Sequence, residues 1–285
     1  MRHCLLITSY KDVENLNRII RYTPVEWGVY VHLDKKSAIK IEDVDKRARV
    51  TKCYRVCWGG IEHLYAFLML MKQAIRSGIR YDYFHLISGQ DLYSVPPSFF
   101  DAIVGHEQRN YLGVFPLPNY NWGWEYGLAI FKYRTLSSYY DIRRQPVRFI
   151  NSLCKYIQKM THTYRRLPQY PLYGGSVYSS LTYDFAKYVL SSPMAKDLLM
   201  RLRNSTCAEE IFFQTLIMNS PFQKTVAKDI NLRYVDWNTP PPRPKYLDME
   251  DYSKILCSKS LFCRKVDSVL SASLIREMEH TILKL

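Results

Sequence analysis

Hydrophobic and polar positions along the chain change period several times. Cys4-Leu5-Leu6-Ile7-Thr8 is a short apolar run of the kind that forms a buried strand, and Leu16, Ile19 and Ile20 then recur at helical spacing behind a capping residue, Asp12. Gly28 to Leu33 alternates valine with tyrosine and histidine, predicting a second strand that ends on Asp34. A polar, charged stretch follows to Thr51. From Ile61 to Ala74, Leu64, Phe67, Leu68, Leu70 and Met71 make a helical stripe broad enough to lie on a sheet. Tyr83 to Ile87 predicts a third strand, closed by Ser88-Gly89-Gln90-Asp91. Strands alternating with helices imply an α/β fold, a mostly parallel central sheet flanked by helices on both faces. Ligands of such sheets gather beyond the carboxyl ends of the strands, so Asp34 and the turn carrying Ser88, Gly89 and Asp91 are candidate nucleotide contacts. Asp34 would serve equally well as a turn former or helix cap.

The middle of the chain, Tyr111 to Arg144, is crowded with Tyr, Trp and Asn, among them Trp122, Trp124 and Tyr126. Aromatics in a polar loop either stack on sugar rings and bases or pack against the body of the protein. Gly174-Gly175-Ser176 stands before an apolar run and a helical segment, Tyr183 to Leu190, where glycine permits close backbone approach. Ser205 or Thr206 would cap a helix whose first turn holds Glu209 and Glu210, with Phe212 and Phe213 behind them as anchors. Carboxylates there pair with the helix dipole, and one of them could also stand at a cavity edge. Pro240-Pro241-Pro242 is a stiff connector leading to Arg243 and Lys245, and Leu261 to Asp267 carries Arg264 and Lys265.

Composition narrows the class. With 285 residues, 47% apolar and 23% charged, the chain can bury a real core, which excludes disordered and fibrous proteins, and one domain is the default. No apolar run approaches the roughly 20 residues of a membrane span. The first residues lack the pattern of a signal peptide. Seven cysteines without metal-ligand spacing fit a reducing compartment, and the expected location is cytoplasmic. Net charge is +14, which calls for an anionic partner of some kind. The excess is uneven: from Ile142 to Tyr183 there is no acidic residue, while Arg143, Arg144, Arg148, Lys155, Lys159, Arg165 and Arg166 all fall there. Such a stretch is either a solvated basic helix and loop or a surface for anionic lipid or substrate.

Seven short motifs in order resemble the core-2/I-branching glycosyltransferase family, which also includes peptide O-xylosyltransferases. They are His32-Leu33-Asp34, Trp58-Gly59-Gly60, Ser88 to Asp91, Gly175-Ser176, Glu209 to Thr215, Asn231 to Trp237 and Leu261 to Lys265. The resemblance runs from about Cys4 to Asp267. It implies a single GT-A-like domain, with residues 1–110 as the nucleotide-binding half and 111–285 as the acceptor-binding and catalytic half. It also implies inverting transfer from a UDP-sugar without a bound metal or other cofactor. Carried over by position, Glu210 matches the catalytic base and Lys265 a lysine that contacts the donor diphosphate, with Arg243 or Lys245 as its partner. Asp34 matches the acid that meets the uridine portion. Trp58, Trp124, Glu125, Gly175, Ser176 and Glu209 are then candidates for the acceptor or donor sugar.

The residues make chemical sense of that reading. A single displacement at the anomeric carbon needs one base, and fixed cations can take the charge of the leaving diphosphate in place of a metal. The one Asp-x-Asp, Asp43-Val44-Asp45, sits in a charged stretch and not at the end of a hydrophobic strand. The resemblance makes N-acetylglucosamine in β-1,6-type linkage the expected sugar and xylose the alternative, and together with the basic charge it makes a glycan or glycolipid at the inner membrane face the expected acceptor. A nucleic-acid partner is not expected, because no helix-turn-helix, zinc finger or RNP motif accompanies the charge. A basic nucleic-acid- or lipid-surface-binding protein without catalysis is the rival from another class.

Overall fold

The computed structural model describes residues 1–227, 230–239 and 244–281. The first apolar run becomes strand β1 (His3–Ser9), and Asp12 caps helix α1 (Val13–Tyr22), its side chain accepting from the Asn15 amide at 3.0 Å. Strands β2 (Gly28–Leu33) and β3 (Arg49–Thr51), helix α2 (Glu62–Arg76) and strands β4 (Tyr83–Ser88) and β5 (Asp91–Tyr93) follow. Helix α3 (Phe100–Val104), strand β6 (Phe115–Pro116) and helices α4 (Leu128–Lys132) and α5 (Val147–Met160) occupy the middle. Strands β7 (Tyr173–Gly174) and β8 (Ser179–Thr182) lead to helices α6 (Tyr183–Ser191), α7 (Pro193–Arg201) and α8 (Glu209–Met218). Strand β9 (Arg233–Val235), helix α9 (Tyr252–Cys257), strand β10 (Phe262–Arg264) and helix α10 (Ala272–Thr281) complete the order.

The main sheet runs β3-β2-β1-β4-β8, parallel except for β8, which pairs antiparallel with β4. Its central strands are apolar on both faces because both are covered. Cys4, Leu6, Phe84 and Leu86 point into one core with α2, α6, α7 and α8, whereas Leu5, Ile7, Val29, Val31 and Ile87 point into another with α1 and α3. The period-two alternation of strand side chains produces this division. The expected α/β architecture is present. Strand β3 was not foreseen, since its residues lie in the charged stretch and are only partly buried at the sheet edge.

A smaller sheet, β5-β10-β9, stands at the carboxyl end of β4 over a third core that includes Leu92, Cys263, Val266, Leu274 and Met278. Arg233 locks it to the main sheet. Its guanidinium donates to the Ser179 carbonyl at 2.8 Å and to Ser180 Oγ at 3.2 Å, and lies 4.8 Å from the Phe262 ring centre. Burial lowers the pKa of Arg233 to about 9. This lock aims the end of β10, and hence Lys265, at the end of β4.

Candidate active site

Helix α8 carries the acidic corner. Ile211, Phe212, Phe213, Leu216 and Ile217 are almost fully enclosed, each such side chain contributing about 1.5–3 kcal/mol, so the first turn is rigidly held. Neither Ser205 nor Thr206 caps the helix, contrary to expectation. The position before it is Ala208, and Thr206 instead donates to Thr135 Oγ1. Glu209 is buried, accepting from His63 Nδ1 at 3.1 Å through Oε1, while its Oε2 has no hydrogen-bond donor among the described residues. His63 Nε2 lies 3.2 Å from Thr8 Oγ1 at the end of β1. Glu210 beside it is half-buried; burial, reinforced by the Glu209 charge, raises its carboxyl pKa to about 8. Glu62, at the start of α2, is raised by burial and also feels Glu209.

Two glycine loops crowd this corner. Gly59 takes a left-handed φ of 70°, and its carbonyl accepts from the Cys207 amide at 2.8 Å, which sets the Trp58-Gly59-Gly60 turn against the start of α8. Trp58 is half-exposed under the Arg143 guanidinium, 4.9 Å from the ring centre. On the other side the Gly175 amide donates to the Glu210 carbonyl at 2.9 Å, and Gln214 donates to the Ser176 carbonyl at 2.8 Å. A Cβ at Gly175 would stand 1.9 Å from the Gly113 carbonyl oxygen, a backbone atom that cannot rotate away. Gly175→Ala is therefore expected to cost about 3 kcal/mol or more, read as a lowered thermal denaturation midpoint.

The basic corner lies at the ends of β1, β4 and β10. Lys265 Nζ sits 4.9 Å from the Tyr246 ring centre and Lys11 Nζ 5.2 Å from the same ring, with Lys11 also 3.3 Å from its hydroxyl. Burial lowers the Lys265 pKa, with Arg264 and Lys11 pushing the same way. Burial alone would raise Tyr246, but hydrogen bonds from Gln90 and Lys11 and the nearby lysine charges bring its phenol below the usual value. Lys265 has no ion-pair partner among the described residues, whereas Lys11 is paired with Asp267 at 2.9 Å.

An unbroken series of side chains joins the corners. The Arg264 guanidinium lies 3.5 Å from the Tyr178 ring centre, the Tyr178 ring is 6.5 Å from His63, and His63 holds Glu209. Glu209 and Arg264 are thus linked near the carboxyl ends of β1 and β4, and Glu210 and Lys265 are their neighbours in the chain. The strand-end candidates lie there as well. Gly89 donates its amide to the Thr8 carbonyl and packs on Ser9, and the Asp34 amide donates to the Ser9 carbonyl. Beside α2, a cleft of about 370 Å³ is lined by Glu62, Tyr65, Ser138, Tyr139, Arg203 and Asn204 among others.

Several expected contacts fall elsewhere. Lys245 is corrected: its ammonium is held by Asp251 at 2.9 Å and Asp248 at 3.1 Å, so acidic neighbours already neutralise it. Arg243 lies outside the described residues. Asp91 is fully enclosed, its Oδ2 accepting from the Ser88 hydroxyl and amide and its Oδ1 facing Arg264 at 3.6 Å without a hydrogen bond among the described residues; it braces the turn and Arg264 from inside the protein. Asp34 shapes its own turn, accepting from the Lys36 amide at 2.8 Å, and keeps Oδ2 toward Lys36 Nζ at 3.8 Å. Glu125 accepts from the Tyr133 hydroxyl at 2.6 Å and pairs with Lys132 at 2.9 Å; these contacts outweigh burial and hold it below the usual carboxylate range. Trp124 opens a short 3₁₀ turn in the same loop. Asp43 and Asp45 sit beside α1, bonded through their backbone to Asn17.

Sequence reasoning missed Lys11, His63, Tyr178 and Tyr246. Only His63 had a local signal, being next to Glu62 in the first turn of a helix behind two glycines; the others meet the site from distant segments.

Residues 5–258 match the profile of the Core-2/I-Branching enzyme family. A human N-acetyllactosaminide beta-1,6-N-acetylglucosaminyl-transferase is 27% identical over 261 residues, which are 86% of this chain and 58% of that protein. The chain thus spans little more than half the length of that relative. On the extent of the family match, the chain belongs to the core-2/I-branching enzyme family of glycosyltransferases.

Proposed function

We propose that this protein transfers N-acetylglucosamine, in a β-1,6-type linkage, from a UDP-sugar to a hydroxyl of a glycan or glycolipid acceptor, with inversion and without a divalent metal. The reading includes a GT-A-like division of labour, with the nucleotide at the ends of β1, β2 and β4 and the acceptor near α2 and α8. The observation that supports it is the series of side chains running from Glu209 through His63 and Tyr178 to Arg264, the chain neighbours of Glu210 and Lys265. Glu210 removes the acceptor proton as the new bond forms at the anomeric carbon, and the bond to the diphosphate breaks on the opposite face. UDP departs with added negative charge, which Lys265 meets with help from Lys11. Glu209, whose buried Oε2 has no hydrogen-bond donor among the described residues, is assigned to accept a hydrogen bond from a sugar hydroxyl once substrate opens the corner.

A panel of UDP-sugars scored by thermal shift and by transfer to glycan acceptors tests this. Transfer from UDP-N-acetylglucosamine that persists in excess EDTA supports it; strict dependence on UDP-xylose would replace the sugar, and loss restored by manganese would overturn the metal-free step. The pH profile is a second test. Because Glu210 must be ionised to act and titrates near 8, kcat/KM should rise with pH along a limb centred there. Glu209→Gln removes one of the two causes of that elevation and should move the limb to lower pH. A limb that stays put in the Glu209 variant would mean that another group controls it.

A further inference from the structure

Helix α5 is turned inside out. Phe149, Ile150, Leu153, Tyr156, Ile157 and Met160 occupy an arc of roughly a third of its circumference at 3.6 residues per turn. All six are exposed, Phe149 by 65% and Met160 by 62%. The side that faces the protein is anchored by polar residues: Asn151 is buried and accepts from the Leu136 amide at 3.0 Å, and Gln158 pairs with both backbone groups of Arg134, with Val147 and Cys154 half-buried beside them. Isolated exposed apolar side chains are ordinary, but a continuous apolar stripe marks an interaction surface.

Charge says what kind of surface covers it. Arg148 and Lys159 flank one side of the arc and are exposed, and no acidic residue occurs from Ile142 to Tyr183. We propose that α5 docks in the plane of an anionic lipid bilayer, its apolar arc entering the acyl boundary while Arg148 and Lys159 meet the headgroup phosphates. An apolar stripe with cations along one side and no carboxylate on its own helix fits a negatively charged, hydrocarbon-backed surface. No helix among the described residues is long and apolar enough to cross a membrane, so this is attachment to one face. Arg143, four residues before α5, covers Trp58 and is paired with Asp141 at 2.8 Å.

Flotation of the full chain with phosphatidylcholine vesicles, with and without phosphatidylserine, tests the proposal independently of catalysis. Binding to the phosphatidylserine vesicles is expected, at least about tenfold weaker on pure phosphatidylcholine and in high salt. The double variant Phe149→Glu, Met160→Glu should lose at least about tenfold in partition, with unchanged circular dichroism because both side chains are exposed. A second variant, Arg148→Glu, Lys159→Glu, should weaken anionic binding while leaving the apolar arc intact. Equal flotation of wild type and both variants, or no flotation at all, overturns the proposal. So does a concentration-dependent dimer in sedimentation that the first variant abolishes, for the face would then belong to a second copy.

Discussion

Glu210→Gln is expected to lower turnover by at least about 100-fold while donor affinity, read by thermal shift with UDP, stays within a few-fold, as befits loss of a general base that does not hold the nucleotide. The same substitution carries a signature of its environment. A carboxyl whose folded pKa is raised to about 8 from an ordinary 4.5 binds its proton more tightly in the folded state, so it weakens folding progressively as pH climbs from about 4.5 to 8. Glutamine mimics the protonated form. The variant should therefore melt higher than wild type at pH 8 and at the same temperature near pH 4. An inactive variant that also melts lower at pH 8 would assign Glu210 a structural part. If instead Glu209→Gln alone abolishes turnover, the base is the residue held by His63.

Lys265→Ala is expected to reduce kcat/KM by about 10²–10³-fold, the usual consequence of removing a preorganised group that meets charge developing in the transition state. Its ammonium is half-buried with no ion-pair partner among the described residues, so its removal also relieves desolvation, and the melting temperature should hold or rise. Lys11→Ala is the informative comparison. That lysine already spends part of its charge on Asp267 and should cost less. Steady-state kinetics on the two variants, with fluoride-free buffer and EDTA throughout, ranks them. Equal, small losses would mean that the charge of departing UDP is met elsewhere.

Much of the frame was legible in local patterns. The ends of β2 agree with the alternation of Gly28 to Leu33, and Asp12 caps α1 as its position implied, because periodicity and capping depend on residues a few places apart. The start of α8 departs from this: Ser205 and Thr206 have the right chemistry for a cap, but the chain makes a turn through Cys207 that is pinned by the Gly59 carbonyl, a contact with a segment far away in sequence. Lys245 misled for the same reason. Its cation is visible in the sequence, yet Asp248 and Asp251 neutralise it only because a short 3₁₀ turn at Met249–Asp251 folds them onto it.

By itself the sequence determined the alternation of strands and helices, the carboxylate pair heading an apolar helix, and the basic, acid-free stretch around α5, since each is a property of neighbouring residues. Tertiary structure alone decided which charges are free to act. It enclosed Asp91 with Arg264, paired Glu125 with Lys132, raised Glu210 beside Glu209, and left Lys265 facing Tyr246. It also turned the apolar side of α5 outward. The physical reason is common to all of these: the energy of a charge or an apolar surface is set by what surrounds it in three dimensions, and those surroundings come from segments that only folding brings together.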